Sequence, residues 1–389
     1  MGDKIELIAT AAFGVEAVVA RELHELGYED SSVENGKVTF SADEKAVCRA
    51  NLWLRTAERV LLKMGSFPAR SFEELFERTK ALPWPDWLPE DANFPVEGKS
   101  VRSQLHSVPD CQAIVKKAVV ESMKRRYKRE WFEETGARYT IEVALLNDEA
   151  TLTIDTSGKG LHKRGYRELA GPAPLKETLA SALILLSRWR AGRELLDPLC
   201  GSGTIPIEAA LIGQNVAPGL RRSFAAENWP NVPAPLWREA RVEAEDLARR
   251  DSEVRVLGSD IDGEALELAR LHAREAGVEK NVFFQRLPLA QLRSSKKYGY
   301  IICNPPYGER LGERREVERL YREMGQVFGA LDTWSFYVLT AHTGFEALFG
   351  RRADKRRKLY NGRIECQFYQ FFGPKPPRLE RPGGQGANP

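Results

Sequence analysis

The sequence contains few cysteines, and their spacing does not suit a metal site or a disulfide framework. The five cysteines lie far apart at Cys48, Cys111, Cys200, Cys303 and Cys366, and no two of them form a C-x-x-C pair. Structural zinc sites and small disulfide-stabilised domains both depend on closely spaced cysteines. We therefore expect no bound metal, and we expect the protein to work in a reducing cytoplasm.

Long hydrophobic runs are also missing from the chain. No stretch of about 18 apolar residues occurs, so we expect no membrane-spanning helix. The first residues lack the basic segment and apolar stretch of a signal peptide. Hydrophobic residues nevertheless make up 42% of the 389 residues, which is enough for a well-packed core. This length predicts two or three domains.

The charges nearly balance in total but are unevenly distributed. The 58 basic and 55 acidic residues give a net charge of +3, whereas residues 116–129, 159–167 and 351–358 are strongly basic. One such cluster is typical of a solvated face, but three of them favour an anion-binding surface. The side chains that we expect to contact RNA are Lys116, Lys117, Lys124, Arg125, Lys163, Arg164 and Arg167.

The first 165 residues predict two small α+β units, residues 1–64 and residues 65–165. In the first unit, hydrophobic spacing predicts strands at 4–10 and 36–40 and helices at 13–26 and 46–62. In the second unit it predicts a helix at 71–82, an irregular loop at 83–95, a strand at 98–106, a basic helix at 108–129 and two strands joined by a turn at Asn147-Asp148. A basic helix on a sheet can grip RNA, although many unrelated α+β domains share this outline.

From about residue 166 the pattern changes to short, continuous apolar runs separated by helical segments. Runs without alternation are typical of strands that are buried on both faces of a parallel sheet. The runs are ELLDPL, VRVLGSDI, VFFQRL, YIICNPP and SFYVLTA. They predict a doubly wound α/β domain over residues 166–373, which would bind its ligands at the carboxyl ends of the strands. The Pro- and Gly-rich residues 374–389 predict a disordered tail.

The first motif is the turn DPLCGSGT, which runs from Asp197 to Thr204 between a strand and a helix. Glycines at such a turn let a ligand approach the backbone, and the helix start beyond them favours a carboxylate or a phosphate. It is neither the dinucleotide G-x-G-x-x-G pattern nor a P-loop, because no lysine follows the second glycine. Gly201, Gly203 and Thr204 would face a nucleoside that carries an amino acid, Asp197 would lie near its amino group, and Cys200 would be a small filler in this cofactor-binding turn.

The second motif is GSDID, at the end of the next predicted strand. An acid at the tip of this strand can accept hydrogen bonds from both ribose hydroxyls, and we assign that role to Asp260. Its neighbour Ile261 also belongs to the predicted cofactor site. Asp262 stands where a helix amino cap is expected, so we assign it to the cap.

The third motif is NPPY, from Asn304 to Tyr307, after the strand YGYIIC. The prolines Pro305 and Pro306 remove two backbone donors, which leaves the Asn304 side-chain oxygen and the Pro305 carbonyl as acceptors. Two acceptors can hold both hydrogens of an exocyclic amino group and direct its lone pair towards a methyl donor. Tyr307 can stack on the target base. Cys303 raises the alternative of a covalent nucleophile, but it follows two isoleucines and is better interpreted as a core residue.

With these motifs in order, the sequence resembles the class I methyltransferases that carry a THUMP RNA-binding domain. It is most similar to the 23S rRNA guanine N2-methyltransferase group and its bacillus-type relatives with a single catalytic domain. The segments that carry the resemblance include SVPDCQAIVKKAVVESM, GLHKRGYR, APLKETLASALI, DPLCGSGT, NPPYGERLG and RKLYNG. NPPY is shared with adenine-N6 and glutamine methyltransferases, so it does not identify the substrate by itself.

The resemblance implies a ferredoxin-like domain, a THUMP domain and a Rossmann-like methyltransferase domain with a seven-stranded mixed sheet whose last strand is antiparallel. It implies S-adenosylmethionine as cofactor, Asp197, Gly201, Gly203 and Thr204 at that cofactor, Asp260 at its ribose and Asn304 to Tyr307 at the target amino group. The segment FFQRLPLAQL lacks the acid that usually holds the adenine amino group, and Gln291 or a backbone carbonyl is the alternative.

The function that we expect is methylation of the N2 amino group of a guanine in structured RNA, with 23S rRNA as the first candidate. The alternatives are a tRNA guanine, adenine N6 in RNA or DNA, a glutamine in a protein, and a non-catalytic RNA-binding protein of ribosome assembly. The sequence leaves open which nucleotide is modified, whether naked RNA or an assembled subunit is the substrate, and the oligomeric state.

Overall fold

The computed structural model of the protein describes residues 4–167, 175–308 and 314–377. Within these residues the strands are β1 (Ile5–Ala11), β2 (Ser31–Glu34), β3 (Lys37–Ala42), β4 (Ala57–Pro68), β5 (Val96–Val101), β6 (Ile141–Leu146), β7 (Glu149–Asp155), β8 (Leu195–Asp197), β9 (Val256–Asp260), β10 (Val282–Arg286), β11 (Tyr300–Cys303), β12 (Ser335–Thr340), β13 (Lys355–Asn361) and β14 (Ile364–Phe371).

The helices of the same residues lie between these strands. They are α1 (Glu16–Glu25), α2 (Lys45–Trp53), α3 (Phe72–Lys80), α4 (Trp84–Trp87), α5 (Val108–Tyr127), α6 (Glu177–Ser187), α7 (Thr204–Gly213), α8 (Ala234–Asp246), α9 (Gly263–Ala276), α10 (Arg314–Gly329) and α11 (Phe345–Phe349). Short 3-10 helices occur at Ala225–Asn228 and Leu289–Gln291. Most of the predicted carboxyl-terminal tail, from residue 378 onward, lies outside the described residues.

The amino-terminal part is built on one continuous sheet with the strand order β2-β3-β1-β4-β7-β6-β5. The long strand β4 joins its halves, because it pairs antiparallel with β1 on one side and with β7 on the other. The predicted helix over 46–62 is therefore wrong beyond Trp53, where α2 ends. The apolar residues Val60 and Leu62 satisfied a helical spacing, but the two neighbouring strands hold this segment in an extended conformation.

Local turn chemistry accounts for other elements of this part. The turn between β6 and β7 places both Asn147 and Asp148 at positive φ, 52° and 65°, as a two-residue hairpin of the predicted kind requires. Helix α3 begins with a capping box, in which Ser71 and Glu74 each bond the other's backbone N–H. Helix α5 buries one stripe of residues, which includes Val115, and packs against β5 and α3.

The carboxyl-terminal part contains the predicted mixed seven-stranded sheet, with the order β10-β9-β8-β11-β12-β14-β13. Strands β8 to β12 are mutually parallel, and β14 runs antiparallel to both of its neighbours. The expected class I architecture with an antiparallel last strand is thereby confirmed. The strands that end in the three motifs, β9, β8 and β11, lie side by side in this sheet, so their carboxyl ends meet at one edge.

A single hydrophobic cluster extends from the first sheet into the second. A buried polar network crosses the same junction. Arg164, between the two parts, donates to the carbonyls of Leu161 and Arg55 and lies 3.5 Å from the Glu208 carboxylate of α7. Arg55 in turn donates to the carbonyl of Val216 at 2.8 Å. The amino-terminal sheet is therefore packed onto the domain that carries the motifs.

Among the residues that the structure describes, no helix is both long enough and apolar enough to cross a membrane.

Candidate active site

A cavity of about 830 Å³ opens at the carboxyl ends of β8, β9 and β11. All three motifs contribute to its walls. The first supplies Leu199 and Gly201, the second Asp260 and Ile261, and the third the whole segment from Asn304 to Tyr307. The structure thus brings together residues that are separated by more than a hundred positions in the chain, at the edge where open α/β sheets bind ligands.

The two glycines of the DPLCGSGT turn lie in different surroundings. Gly201 has a φ of +49°, and a Cβ added to it would enter open space, so its backbone faces the cavity freely. Gly203 has a φ of +82°, and a Cβ there would come within 2.8 Å of the Phe284 ring and 3.0 Å of Ala269. Close packing against Phe284 and Ala269 therefore requires a glycine at position 203, and the predicted contact of Gly203 with a cofactor stays a prediction.

Asp260 is fixed at the floor of the cavity by two backbone groups. Its Oδ2 accepts from the Gly201 N–H at 2.8 Å, and its Oδ1 accepts from the Asp262 N–H at 3.0 Å. Each carboxylate oxygen can accept a further hydrogen bond, so a ribose diol still finds two acceptors at fixed positions. Asp262 caps α9 through the N–H groups of Glu264 and Ala265, at 2.9 and 3.3 Å, as the sequence predicts.

Asp197, Cys200 and Thr204 lie behind the cavity wall rather than on it. The Asp197 side chain is 2% exposed and accepts from the Leu199 N–H at 3.1 Å, and burial raises the pKa of this carboxyl well above its usual value. Thr204 accepts a 2.6 Å hydrogen bond from Arg167. In this conformation the three residues are not among those that line the cavity, and their predicted contacts with a cofactor stay a prediction.

One end of the cavity is apolar and suits a flat ring. Ile261 is 63% exposed although it is an isoleucine, and Pro288 and Leu289 line the same region. Gln291, the side chain that we considered for the missing adenine contact, is not among the lining residues. The backbone of the turn at Leu289 therefore remains as the alternative from the same segment.

The NPPY loop is held in place by tyrosine and asparagine side chains. The Tyr307 hydroxyl donates to Asn304 Oδ1 at 2.5 Å and accepts from Asn361 Nδ2 at 3.2 Å. Burial raises the pKa of Tyr307, so the hydroxyl stays protonated and remains a donor. On the other side, the Tyr321 hydroxyl donates to the Pro306 carbonyl at 2.6 Å. These bonds set the orientation of the Asn304 amide, whose oxygen keeps a second lone pair for a ligand.

Asn361 is a site residue for which the sequence suggested no role. It is the last residue of β13, and together with Gly362 and Ile364 it lines the cavity beside the NPPY loop. The only signal was that it falls in the segment RKLYNG, which carries part of the family resemblance. Hydrogen bonding across 54 positions of the chain could not be inferred from that segment.

The cysteines near the site do not act as nucleophiles. Cys303 is fully buried at the end of β11, and burial raises the pKa of its thiol well above the usual value. Cys200 is 8% exposed and its thiol pKa is raised by burial in the same way. Nucleophilic cysteines need accessible sulfur and a lowered pKa. The interpretation of Cys303 as a core residue agrees with the structure.

The basic residues predicted to contact RNA fall into two groups. Lys117, Arg125 and Lys163 are exposed. Lys116 and Lys124 are half-buried and form ion pairs, with Glu134 at 2.6 Å and with Glu121 and Glu130 at 3.1 and 2.8 Å.

Arg164 and Arg167 do not reach the surface, and their assignment as RNA contacts is corrected. Arg164 is 3% exposed within the buried network described above. The Arg167 side chain is 7% exposed and lies 3.2 Å from Glu177 while it donates to Thr204. A guanidinium that is buried with an internal carboxylate stabilises the junction and cannot meet a phosphate in this conformation.

The cavity fits a nucleoside linked to an amino acid. It combines an apolar slot at Ile261, a carboxylate at Asp260 placed for a diol, and an exposed glycine backbone at Gly201. Among the described residues, no group of three or more His, Cys, Asp or Glu side chains could hold a metal ion.

Comparison with protein families agrees with this architecture. Residues 164–370 match the model described as RMKL-like, methyltransferase domain. Residues 6–61 match the RlmL ferredoxin-like domain, and residues 69–155 match the THUMP domain.

Similar proteins cover nearly the whole chain. A protein of Bacillus subtilis described as "putative RNA methyltransferase YpsC" is 51% identical over 380 residues, which are 97% of this chain and 98% of the relative. A crystal structure from Listeria monocytogenes, described as a "predicted N6-adenine-specific DNA methylase", is 54% identical with a TM-score of 0.92 and covers 96% of this chain and 97% of its own.

The structure of SMU.472, a "putative methyltransferase complexed with SAH", is 46% identical with a TM-score of 0.92, and it covers 97% of this chain and 100% of its own. The descriptions of these relatives agree on methyl transfer and differ on the substrate.

Proposed function

Because this chain belongs to the YpsC-like family of RNA methyltransferases, with RlmL ferredoxin-like, THUMP and RMKL-like methyltransferase domains, we propose that it methylates the N2 amino group of a guanine in a structured RNA. The first candidate for that RNA is 23S rRNA. The observation that carries the proposal is the Asn304 amide oxygen, which the Tyr307 hydroxyl holds in the wall of the same cavity as Asp260; the Pro305 carbonyl would be the second acceptor.

We propose S-adenosylmethionine as the cofactor, and it supplies an electrophilic methyl group on its sulfonium. The Asp260 carboxylate would hold the ribose hydroxyls, and Ile261 with Pro288 would contact the adenine ring. The similar protein SMU.472 was crystallised with S-adenosylhomocysteine, which supports this choice. The Gly201 backbone leaves room for the methionine part, because no side chain occupies that space.

The NPPY loop would act by positioning the target nitrogen. The Asn304 oxygen and the Pro305 carbonyl accept the two amino hydrogens, which turns the nitrogen lone pair into the cavity. The Tyr307 hydroxyl prevents the Asn304 amide from presenting its NH2 group instead, because it already donates to the oxygen. The lone pair of the amino nitrogen is the nucleophile, so it would form the new N–C bond as the S–C bond of the sulfonium breaks and S-adenosylhomocysteine leaves. The methylated nitrogen would then lose one proton to solvent, so no general base is required before transfer.

RNA is the substrate class that the remaining residues favour. The THUMP match over residues 69–155 and the exposed Lys117, Arg125 and Lys163 suit a polyanion, which would be held through its phosphates. The target base would be flipped into the cavity, at a cost of a few kcal/mol. Methylation of adenine N6 is the second candidate, because NPPY suits any exocyclic amino group and the Listeria relative carries that description.

The test is mass spectrometry of rRNA and tRNA nucleosides from a strain that lacks the gene. We expect an N2-methylguanosine to be missing, wild-type protein to restore it, and Asn304→Ala to fail although its affinity for S-adenosylhomocysteine is nearly unchanged. Asn231→Ala is the matched control, because Asn231 is not among the residues that line the cavity and its side chain donates to the Asp86 carbonyl.

Each other outcome contradicts the proposal in a different way. Loss of N6-methyladenosine instead would establish the second candidate. An unchanged set of nucleosides, with no binding of S-adenosylhomocysteine, would mean that the protein is a non-catalytic RNA-binding factor. Substantial turnover by Asn304→Ala would show that the loop is not the catalytic one.

A further inference from the structure

A second cavity, of about 520 Å³, adjoins the active-site cavity and shares Lys176 and Gly362 with it. Its walls come from opposite ends of the chain. One wall is the end of β1 and the two residues after it, Ala11, Ala12 and Phe13. The other wall includes Tyr360 of β13 and Arg363 of the turn before β14. The proposed transfer reaction gives no role to Phe13, Tyr360 or Arg363.

Phe13 presents an aromatic ring to this cavity on a firmly held turn. The ring is 55% exposed, although most phenylalanines of the chain are buried. The next residue, Gly14, donates to Glu16 at 2.8 Å, and its carbonyl accepts from Arg357 Nε of β13 at 2.9 Å. A Cβ on Gly14 would lie 2.4 Å from the Lys358 carbonyl, so the turn and β13 are in direct contact. The backbone turn that carries the exposed ring is therefore held against β13.

Tyr360 provides a second ring beside the first. The centroids of Phe13 and Tyr360 are 6.0 Å apart and their planes are inclined at 66°. Phe13 keeps much of its ring surface exposed for a planar ligand, whereas Tyr360 is half-buried and Lys358 Nζ lies 5.6 Å from its ring centroid. Aromatic faces of this kind stack with any nucleobase, whatever its sequence.

The charged groups of the second cavity suit a phosphate. Arg363 is exposed, and within the described residues no ion pair involves it. Lys176 Nζ bonds Glu58 at 2.9 Å and retains two further donors. Glu58 is the acid of this cavity. Although burial raises its pKa, hydrogen bonds from His162, Lys176 and Thr178 lower it to about 2, so its charge is already compensated.

We propose that this second cavity binds the nucleotide next to the target base in a single-stranded segment of the RNA substrate. Its base would stack on the exposed face of Phe13 and turn an edge towards Tyr360, whose ring is inclined at 66° to that of Phe13, and its phosphate would contact Arg363 and Lys176. Consecutive nucleotides are covalently joined, and the two cavities share Lys176 and Gly362, so the neighbour of a base in the first cavity is within reach of the second. This inference rests on the proposed function for the identity of the ligand.

The experiment measures binding of a fluorescein-labelled, mixed-sequence single-stranded RNA to the full-length protein by fluorescence anisotropy. We expect Phe13→Leu to weaken binding about tenfold and Phe13→Trp to retain it, because an aromatic face is needed and not just apolar volume. Phe283→Leu is the matched control, since Phe283 is 48% exposed on β10 at the opposite edge of the sheet from β13.

The second measurement is the salt dependence of RNA binding. Loss of a residue with a purely structural role would not change this dependence. Each phosphate contact with single-stranded nucleic acid contributes about 0.7 to the slope of log K against log salt. Arg363→Ala should lower the slope by about this amount, whereas Phe13→Leu and the exposed control Arg238→Ala should leave it unchanged.

The outcomes separate this inference from the proposed function. Binding that is equal in wild type, Phe13→Leu and Arg363→Ala, or absent in wild type, would overturn the second cavity as a nucleotide site. If these variants weaken RNA binding while the strain that lacks the gene shows no missing methylated nucleoside, the nucleotide site stands and the proposed reaction fails.

Discussion

Replacement of Tyr307 by phenylalanine is the sharpest test of how the NPPY loop works. The substitution keeps the ring that we expect to stack on the target base and removes only the hydroxyl. Two hydrogen bonds are lost with it, the 2.5 Å bond to Asn304 and the 3.2 Å bond from Asn361. The Asn304 amide is then free to rotate its NH2 group towards the substrate, where it would repel the target amino group.

The expected effect is modest, because the hydroxyl acts through Asn304 rather than on the substrate. A neutral hydrogen bond contributes about 0.5–1.5 kcal/mol net. Since about 1.4 kcal/mol corresponds to a factor of ten in rate, kcat should fall about two- to tenfold. Asn304→Ala removes the acceptor itself, and its effect should be larger, about a hundredfold or more by analogy with the loss of an oxyanion-hole donor.

The assay follows transfer of labelled methyl from S-adenosylmethionine to total RNA from the strain that lacks the gene. Affinity for S-adenosylhomocysteine should stay unchanged. Tyr139→Phe is the control, because Tyr139 is a buried tyrosine whose hydroxyl has no hydrogen-bond partner in the described structure. An unchanged kcat for Tyr307→Phe, or a loss as large as that of Asn304→Ala, would refute the positioning role.

Three further perturbations test other parts of the molecule. Asp260→Ala should weaken binding of S-adenosylhomocysteine about tenfold or more in equilibrium dialysis, because it removes two ribose contacts; unchanged affinity would contradict the ribose assignment. Arg164→Met should lower the free energy of unfolding in urea by about 3 kcal/mol, because it leaves the Glu208 carboxylate buried without its cation; a loss below about 1 kcal/mol would mean that the pair is dispensable. The pKa of Glu58 in the folded state is about 2, below its ordinary value of 4.5. The ionised Glu58 carboxylate therefore stabilises the fold fully above pH 4.5, and this stabilisation is lost as the pH falls from 4.5 towards 2. Glu58→Gln should flatten the dependence of Tm on pH in this window, and a curve parallel to that of wild type would exclude the effect.

The parts of the fold that the sequence predicted well are those with local signals. The turn at Asn147-Asp148 needs residues that tolerate positive φ, and asparagine and aspartate are residues of this kind. Short apolar runs that end in glycine, aspartate or proline likewise located β8, β9 and β11. Strand β4 was missed because its extended conformation depends on pairing with β1 and β7, and β7 lies almost a hundred positions away.

The site could be predicted as far as its chemistry follows from motif residues. Asp260, Asn304 and Tyr307 reach the cavity because each follows a buried parallel strand. The sequence shows that a residue is charged but not whether it is buried. Arg164 and Arg167 were therefore expected at the surface, although they form internal ion pairs. Asn361 was missed because it reaches the loop from a hairpin with no recognisable catalytic pattern.

The shared strand β4 has a practical consequence for anyone who wishes to study the THUMP domain by itself. The family match begins at residue 69, just after β4 ends at Pro68. A fragment that begins there would lack β4, one of the two strands that pair with β7. The backbone amides and carbonyls on that side of Glu149–Asp155 would then be unpaired. An exposed strand edge of this kind pairs with other protein chains, and the protein then aggregates. Any workable fragment must keep Ala57–Pro68 and shield the side of that strand that β1 normally covers.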